Sequence, residues 1–245
     1  MTRHAIIAFD PSADMSNLVV AVKNKLQDPG AVLITDFPIE SDGATLVRFG
    51  AALGTLSTRD VTVPLNEWVQ RVEALDNAVK EPGGYEVLSA SSKLFPCHTD
   101  EFFERDPAQM VLQLSVRAAE CGGGQTLLAF LNDIWTQLNA DSIDILSQCE
   151  FPARFGSTPI LVATDRGRRV RYNRGRLLQY ELTENQMNAV EDLERAINVV
   201  KQCFLMRPGD CLVLNNWTVL HGRTDFAENS SRLLLRMRVL DVPIR

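Results

Sequence analysis

The segment Arg232 to Val239 places the strongest constraint on the fold, because its side chains alternate in character. Arginines stand at positions 232, 236 and 238, whereas apolar residues stand at 233, 235, 237 and 239. Successive side chains of a β-strand point to opposite faces, so the pattern predicts a strand with one face in a core. The other face carries three guanidinium groups. It is either a solvated basic face or the wall of a pocket that binds a carboxylate bidentately.

The rest of the chain predicts helices mainly at the start and strands mainly in the second half. Apolar residues at helical spacing indicate helices near 18–26, 46–53 and 183–201, the last with a Thr183–Gln186 capping box. Strands are predicted near 6–9, 31–37, 85–89, 110–116, 126–131, 211–214, 219–221 and 232–240. The polar stretch 61–84 indicates a long loop with one short helix near 67–78. We expect one domain over residues 1–245, of the α+β class with mainly β structure.

Composition and charge exclude several classes of protein. The chain of 245 residues carries a net charge of −6, which argues against a nucleic-acid partner. No apolar run approaches the ~20 residues that a membrane helix requires. Five dispersed cysteines and the lack of a signal-peptide pattern predict a cytoplasmic protein with reduced thiols. A core of this size folds without a structural metal, which leaves any bound metal free for catalysis.

The chain has three histidines, and two of them stand in contexts that favour metal binding. His98 and Asp100 are two residues apart, so in an extended chain they point to the same side. His221 would join them from a distant strand, whereas His4 is expected near an exposed terminus. Two imidazoles and one carboxylate leave open positions on a metal, as in non-haem Fe(II) oxygenases.

The two histidines and Asp100 also allow interpretations other than an iron site. An HxD pair is common in proteins that bind no metal, and His221 is also compatible with a hydrogen-bonded core histidine. Cys97 permits a zinc site with His98 or Asp100 and His221, since zinc accepts sulfur, nitrogen and oxygen ligands. Because Cys97 and His98 are neighbours, they face opposite ways in a strand, which weakens the zinc alternative.

Three motifs in the order and spacing found here resemble the TauD/TfdA-like (clavaminate synthase-like) family of Fe(II)- and 2-oxoglutarate-dependent oxygenases. The likeness runs from about Tyr85 to Val239. It rests on His98-x-Asp100, on the segment Gly123-Gly124-Gln125-Thr126, and on His221-x-Arg223 followed by arginines eleven and fifteen residues after the histidine. The resemblance implies a double-stranded β-helix, or jelly-roll, core with flanking helices.

The resemblance also implies a role for each matching residue. His98, Asp100 and His221 would bind Fe(II), and Arg232 would pair with the distal carboxylate of 2-oxoglutarate. Thr126 would add a hydrogen bond to that carboxylate, and Arg236 would lie near the iron-proximal end or the substrate. The implied reaction uses O₂ to oxidise, most simply to hydroxylate, an unactivated C–H bond, with release of succinate and CO₂.

The substrate is expected to be a small metabolite or an amino-acid-like molecule, free or attached to a carrier. In taurine-type members a residue four before the first histidine helps to hold the sulfonate, and here that residue is the apolar Leu94. A taurine-like substrate is therefore not expected. Two alternatives are a non-catalytic small-acid-binding β-helix module and a zinc hydrolase with the same ligands. The sequence leaves a homo-oligomer open.

Overall fold

Two β-sheets lie face to face, and helices cover the outer face of each. The structure is a computed structural model that describes residues 3–58, 63–75, 79–80, 86–120, 122–153, 156–164 and 167–240. The strands are β1 Ala5–Ala8, β2 Ala31–Thr35, β3 Val69–Val72, β4 Phe95–His98, β5 Met110–Arg117, β6 Thr126–Phe130, β7 Phe151–Ala153, β8 Gly156–Thr158, β9 Leu161–Thr164, β10 Gly167–Val170, β11 Gln202–Phe204, β12 Cys211–Asn215, β13 Val219–Arg223 and β14 Leu233–Val239. The helices are α1 Met15–Gln27, α2 Ala44–Leu53, α3 Leu131–Gln137, α4 Ala140–Gln148, α5 Arg174–Leu177 and α6 Glu184–Val200, with a 3₁₀ turn at Leu88–Ala90.

The two facing sheets bring together strands that are distant in the sequence. The larger sheet has the order β1-β2-β12-β5-β14-β3, and the smaller has the order β11-β6-β13-β4. Apart from the parallel pair β1–β2, the pairs in these sheets are antiparallel. The strands β7–β8 and β9–β10 form two separate hairpins. This arrangement agrees with the predicted α+β class of mainly β structure.

Three apolar clusters fill the layers between helices and sheets. The first packs α1 and α2 on the outer face of the larger sheet, and the second packs α3, α4 and α6 on the outer face of the smaller sheet. The third lies between the sheets and is built from β2, β12, β6 and β13. The apolar face of α6 contributes Val190, Leu193 and Ile197 to the second cluster. The predicted capping box is present at the start of this helix. No helix of the described chain has the length and hydropathy needed to cross a membrane.

Strand β14 resolves the alternative that the sequence left open for its arginines. Leu235, Met237 and Val239 join the apolar cluster under α1 and α2, as the alternation predicted. Arg236 and Arg238 lie on the opposite face, which is turned towards the smaller sheet, and both are buried. The basic face of this strand is therefore enclosed between the sheets, and a solvated basic face is excluded.

Two local predictions are wrong. The helix expected near 67–78 is replaced, where the structure describes that segment, by strand β3 at the edge of the larger sheet. Its Gln70 pairs with Arg236 of β14, so strand pairing outweighs the weak local preference for helix. The strand expected at 85–89 is instead the 3₁₀ turn at Leu88–Ala90. Residues 76–78 and Tyr85 lie outside the described residues.

Gly222 allows strands β4 and β13 to approach closely beside the two histidines. A Cβ atom at Gly222 would lie 2.6 Å from the carbonyl oxygen of Phe95 and 2.9 Å from the amide nitrogen of Cys97. Both of those atoms belong to the backbone, which has little freedom to move aside. The pairing of the two strands shifts in register between His221 and Arg223, at this same point.

We expect Gly222→Ala to destabilise the protein by about 1–3 kcal/mol, the usual cost of overpacking a buried site. It should also weaken binding of a divalent metal, because the same strand pairing sets His98 opposite His221. Urea unfolding and metal titration would measure both effects. The control is Cys203→Ala on the exposed edge strand β11, which should stay within about 0.5 kcal/mol of the wild type. Equal stability of the two variants would contradict this account.

Candidate metal centre

The fold brings the three predicted metal ligands together between the two sheets. His98 ends β4 and His221 stands directly opposite it on β13, where the two residues are antiparallel partners. Asp100 follows β4 by two residues. The side chains of all three are buried, and among the described residues they form the one group of histidine, cysteine and acidic side chains with suitable spacing for a metal.

The ligand atoms of this group converge on one point. Asp100 Oδ1 lies 3.5 Å from His98 Nε2 and 3.6 Å from His221 Nε2. One ligand atom from each residue falls within 4.8 Å of the others. Distances of this order suit atoms that surround a common ion, because first-row metals bind nitrogen and oxygen at roughly 2.0–2.2 Å.

The surroundings of the two imidazoles suit metal ligands. His98 Nδ1 lies 2.9 Å from the carbonyl oxygen of Pro96, so a proton on Nδ1 leaves the Nε2 lone pair directed at the site. Burial, and then the charge of His98, lower the pKa of His221 to about 4, so its ring is neutral at pH 7. Within the described residues, His98 Nε2 and both ring nitrogens of His221 have no hydrogen-bond partner. Buried polar atoms without partners are costly, and a bound metal would satisfy them.

Two arginines of β14 keep Asp100 ionised. Arg238 Nε donates to Asp100 Oδ2 at 2.7 Å, and Arg236 Nη1 lies 3.3 Å from the same oxygen. Burial alone would raise the pKa of this carboxyl, but the two guanidinium charges outweigh burial and hold it well below its ordinary value. A deprotonated carboxylate is the form that binds a metal. Arg236 Nη2 also donates to Gln70 Oε1 at 2.7 Å, which fixes its guanidinium.

The backbone around Asp100 is held from two sides. The amide of buried Asn216 accepts from Asp100 N at 2.8 Å and donates to the carbonyl oxygens of Asp100 and Ala108 at 3.0 and 2.9 Å. On the other side, Thr99 N donates to Tyr172 O at 2.7 Å, and Tyr172 N donates to Thr99 Oγ1 at 2.9 Å. The carboxylate is therefore positioned by its backbone as well as by its ion pairs.

A cavity of about 410 Å³ opens from the two histidines. Its lining includes both imidazoles and the side chains of Thr126, Arg232 and Arg236.

Among the described residues no carboxylate pairs with the guanidinium of Arg232, and burial lowers the pKa of this group to about 10. Gly124 lies against its stem, since a Cβ there would be 2.9 Å from Arg232 Cδ. A buried guanidinium without a carboxylate suits an anionic ligand.

Arg223, the arginine of the H-x-R motif, has a structural role. Its guanidinium donates to the carbonyl oxygens of Leu88 and Ser91 at 3.0 and 2.7 Å and to that of Ser92 at 3.3 Å. Burial, and then the charge of Arg232, lower its pKa to about 9. The contacts fix the 3₁₀ turn at the edge of the cavity, where Ser89 is part of the lining.

A second cavity of about 500 Å³ lies beside the first and shares His98 and Arg236 with it. Glu101, Phe102 and Phe103 line it from the segment after Asp100, and Asn173 and Arg176 line it from the region of α5. Glu101 has φ 55°, which is uncommon for a residue other than glycine, and its Oε2 accepts from Ala108 N at 2.8 Å. The combination of both charges and aromatic rings suits a small zwitterionic ligand.

Sequence reasoning missed the partners of the predicted ligands, and two of its alternatives are wrong. Gln70 and Asn216 touch or fix the site but carry no motif that spacing reveals. The alternation of β14 places Arg238 on the arginine face, but the resemblance assigns it no role. Cys97 packs in the cluster under the helices of the smaller sheet, and burial raises its pKa to about 12, which removes it from the site. His4 is not exposed but buried against Phe204.

We expect Asp100→Ala to destabilise the metal-free protein by about 3–5 kcal/mol, because it removes the one carboxylate that contacts both buried Arg236 and buried Arg238. His98→Ala should cost less, since it leaves no buried charge uncompensated. Urea unfolding in the presence of a chelator would compare the two variants. Equal losses of stability would show that the Asp100 carboxylate does not compensate the charges of the two arginines.

Comparisons with known proteins agree with the motifs. Residues 153–238 match the model of the family described as "Taurine catabolism dioxygenase TauD, TfdA family". This range contains His221, Arg232 and Arg236, whereas His98, Asp100 and Thr126 precede it. A search of curated protein sequences found no match.

Solved structures of iron oxygenases share the fold along nearly the whole chain. An asparagine oxygenase in complex with Fe(II), 2S,3S-3-hydroxyasparagine and succinate superposes with a TM-score of 0.72, at 19% identity, over 97% of this chain and 94% of its own. The non-heme iron oxygenase OrfP, in complex with Fe and alpha-ketoglutaric acid, gives 0.72 at 14% identity over 97% and 94%. PvcB, an Fe, alpha-ketoglutarate dependent oxygenase, gives 0.69 at 17% identity over 98% and 87%.

These matches confirm the predicted jelly-roll core with flanking helices. The family match and the shared fold support an oxidoreductase of the dioxygenase type. In the sequence of its second half and in its fold, the chain resembles the TauD/TfdA family of dioxygenases, as its motifs predicted.

Proposed function

We propose that this protein is an Fe(II)- and 2-oxoglutarate-dependent dioxygenase that hydroxylates an unactivated C–H bond of an amino-acid-like substrate, with release of succinate and CO₂. One observation carries the proposal. Two cavities meet at His98, and one of them also holds a buried arginine that has no carboxylate partner in the described chain. This arrangement suits a metal with open positions that binds a dicarboxylate beside it.

His98, Asp100 and His221 would hold the metal. The unpartnered imidazole nitrogens and the ionised carboxylate fit Fe(II), whose oxygenase sites use two histidines and one carboxylate. When bound with 2-oxoglutarate and O₂, Fe(II) supplies the oxidising chemistry, which no side chain of the protein provides. The protein supplies position, charge and a buried site from which bulk water is excluded.

Arg232 and Thr126 would bind the distal carboxylate of 2-oxoglutarate. The guanidinium offers two parallel N–H donors, and the hydroxyl of Thr126 on β6 lines the same cavity. Arg236 lines both cavities, so it would contact the proximal end of the cosubstrate or the substrate.

The second cavity would bind the substrate. Guanidinium groups of Arg176 and Arg236 suit a carboxylate, and the carboxylate of Glu101 suits an ammonium group. Two of the structures that share this fold are complexes with a hydroxylated asparagine and a hydroxylated arginine, which supports a substrate of the amino-acid class. We also propose that residues 1–245 act as one domain in this reaction.

Anaerobic protein given Fe(II) and 2-oxoglutarate should develop a weak visible charge-transfer band, because the keto acid chelates a metal with adjacent open positions. With O₂, a screen of amino acids should find at least one that stimulates succinate release and is itself oxygenated. Mass spectrometry of the products would identify the site of oxidation. Protein that binds the acid without O₂ uptake or succinate release would support a non-catalytic module. Hydrolytic activity restored by zinc and not by iron would support a hydrolase.

We expect Arg232→Ala to weaken 2-oxoglutarate binding by about two to four orders of magnitude, since breaking a buried charge pair costs about 3–5 kcal/mol. Binding of Fe(II) alone should change little. Arg232→Lys should rescue binding only in part, because an ammonium group cannot reproduce the planar fork. Calorimetric titration of the metal-loaded, anaerobic protein would measure these affinities. Arg207→Ala, which removes an exposed arginine that lines neither cavity, serves as the control. Wild-type affinity in Arg232→Ala would remove Arg232 from the site.

A further inference from the structure

The two oxygens of the Asp100 carboxylate face different groups. Oδ1 faces the imidazoles, at 3.5 Å from His98 Nε2 and 3.6 Å from His221 Nε2. Oδ2 accepts from Arg238 Nε at 2.7 Å. Arg236 Nη1 lies between the two oxygens, at 3.3 Å from Oδ2 and 3.4 Å from Oδ1. Oδ1 is therefore the oxygen nearest the imidazoles, and Oδ2 is the oxygen that Arg238 holds.

We propose that Arg238 is a positioning residue that holds Oδ2 away from the metal, so that Asp100 offers Oδ1 alone. This inference rests on the proposed function. A carboxylate can bind a metal through one oxygen or two. A second oxygen would occupy a position that the reaction needs for 2-oxoglutarate or O₂. A group that satisfies Oδ2 therefore keeps that position open.

Arg238 suits this role better than Arg236. It donates to Oδ2 at 2.7 Å from Nε, the guanidinium nitrogen nearest the backbone. Arg236 Nη1, in contrast, lies almost equally far from both oxygens, at 3.3 and 3.4 Å. The backbone of Arg238 is held on both sides, since it pairs with Val111 of β5 and its carbonyl oxygen accepts from Ser57 N at 3.0 Å. Arg236 is shared between Asp100 and Gln70 and lines both cavities, whereas Arg238 lines only the second. Of the two, only Arg236 therefore lines the cavity that also holds Arg232.

Glu101 helps to hold the side chain of Arg238 in position. Its Oε1 lies 3.9 Å from Arg238 Nε, and its own backbone is held in the left-handed region directly after Asp100. The side chain of Arg238 is 6% exposed, so water competes little for its donors. The Nε–H is therefore directed at Oδ2 by a rigid strand and a neighbouring carboxylate.

The test compares Arg238→Met, which removes the donor and the charge, with Arg238→Lys, which keeps the charge but not the position of Nε. Three quantities are measured without turnover: Fe(II) affinity, 2-oxoglutarate affinity of the anaerobic iron-loaded protein, and the wavelength of its charge-transfer band. The rise in Tm on adding Ni(II) reports on metal binding in the absence of iron and cosubstrate. Arg207→Met, at an exposed position between β11 and β12 that lines neither cavity, is the matched control and should behave as wild type.

We expect Arg238→Met to bind Fe(II) within a few-fold of wild type, since Asp100 can then offer both oxygens to the metal. Its 2-oxoglutarate affinity should fall by about 10- to 100-fold, the size of effect that outer partners of metal ligands commonly have on a metal site. Its band should shift, and its Tm should rise more with Ni(II) than that of wild type, because the metal replaces a missing positive charge beside Asp100. Arg238→Lys should lie between the two. A merely structural role would weaken metal and cosubstrate binding together.

A wild-type band and wild-type 2-oxoglutarate affinity in Arg238→Met would overturn the inference, as would parallel losses of Fe(II) and 2-oxoglutarate binding. If Arg238→Met does not fold, Arg238→Lys decides the question, and a wild-type band and affinity in that variant would overturn the inference. Absence of the band from the wild-type protein would instead overturn the proposed function, and the inference with it.

Discussion

The ionised carboxylate of Asp100, enclosed between two guanidinium groups and two imidazoles, is the interaction on which the rest of the site depends. A carboxylate buried to this degree would be protonated without compensating charge, and Arg236 and Arg238 supply that charge. Removing either side of the pair leaves the other as a buried, unpaired ion. The two sheets must therefore stay in register, because the arginines come from the larger sheet and the histidines from the smaller one.

The need to keep the two sheets in register also explains the layered fold. Helices cover the outer faces of both sheets, so the apolar alternation of β14 points outward to α1 and α2, while its arginines point inward. Between the sheets, an apolar cluster of β2, β6, β12 and β13 shares the inner layer with the polar site. Apolar packing thus closes one part of the interior, and charge pairs and hydrogen bonds organise the other part. Polar groups in such a layer are stable only when they are paired.

The backbone of the metal ligands is fixed, whereas the cavities beside it are bounded in part by connecting segments. Asn216, Tyr172 and the strand pairing of β4 with β13 fix the backbone around His98 and Asp100. The cavities are bounded in part by short connections, namely the 3₁₀ turn held by Arg223 and the segment after Asp100. A fixed metal position beside walls made of connecting segments allows related chains to vary substrates while keeping the ligands.

The sequence by itself determined the residue types and spacing of the metal site, the alternation of β14 and the main helices, because these depend on local periodicity and short motifs. It also indicated the fold class, through a resemblance in which His98, Asp100 and His221 occur in a fixed order. Tertiary structure alone decided that Arg238 and Gln70 complete the electrostatics, that Arg223 holds a turn, and that Cys97 faces away from the site. Those roles depend on which strands lie side by side, and β3, β5 and β14 meet across separations that no local pattern encodes.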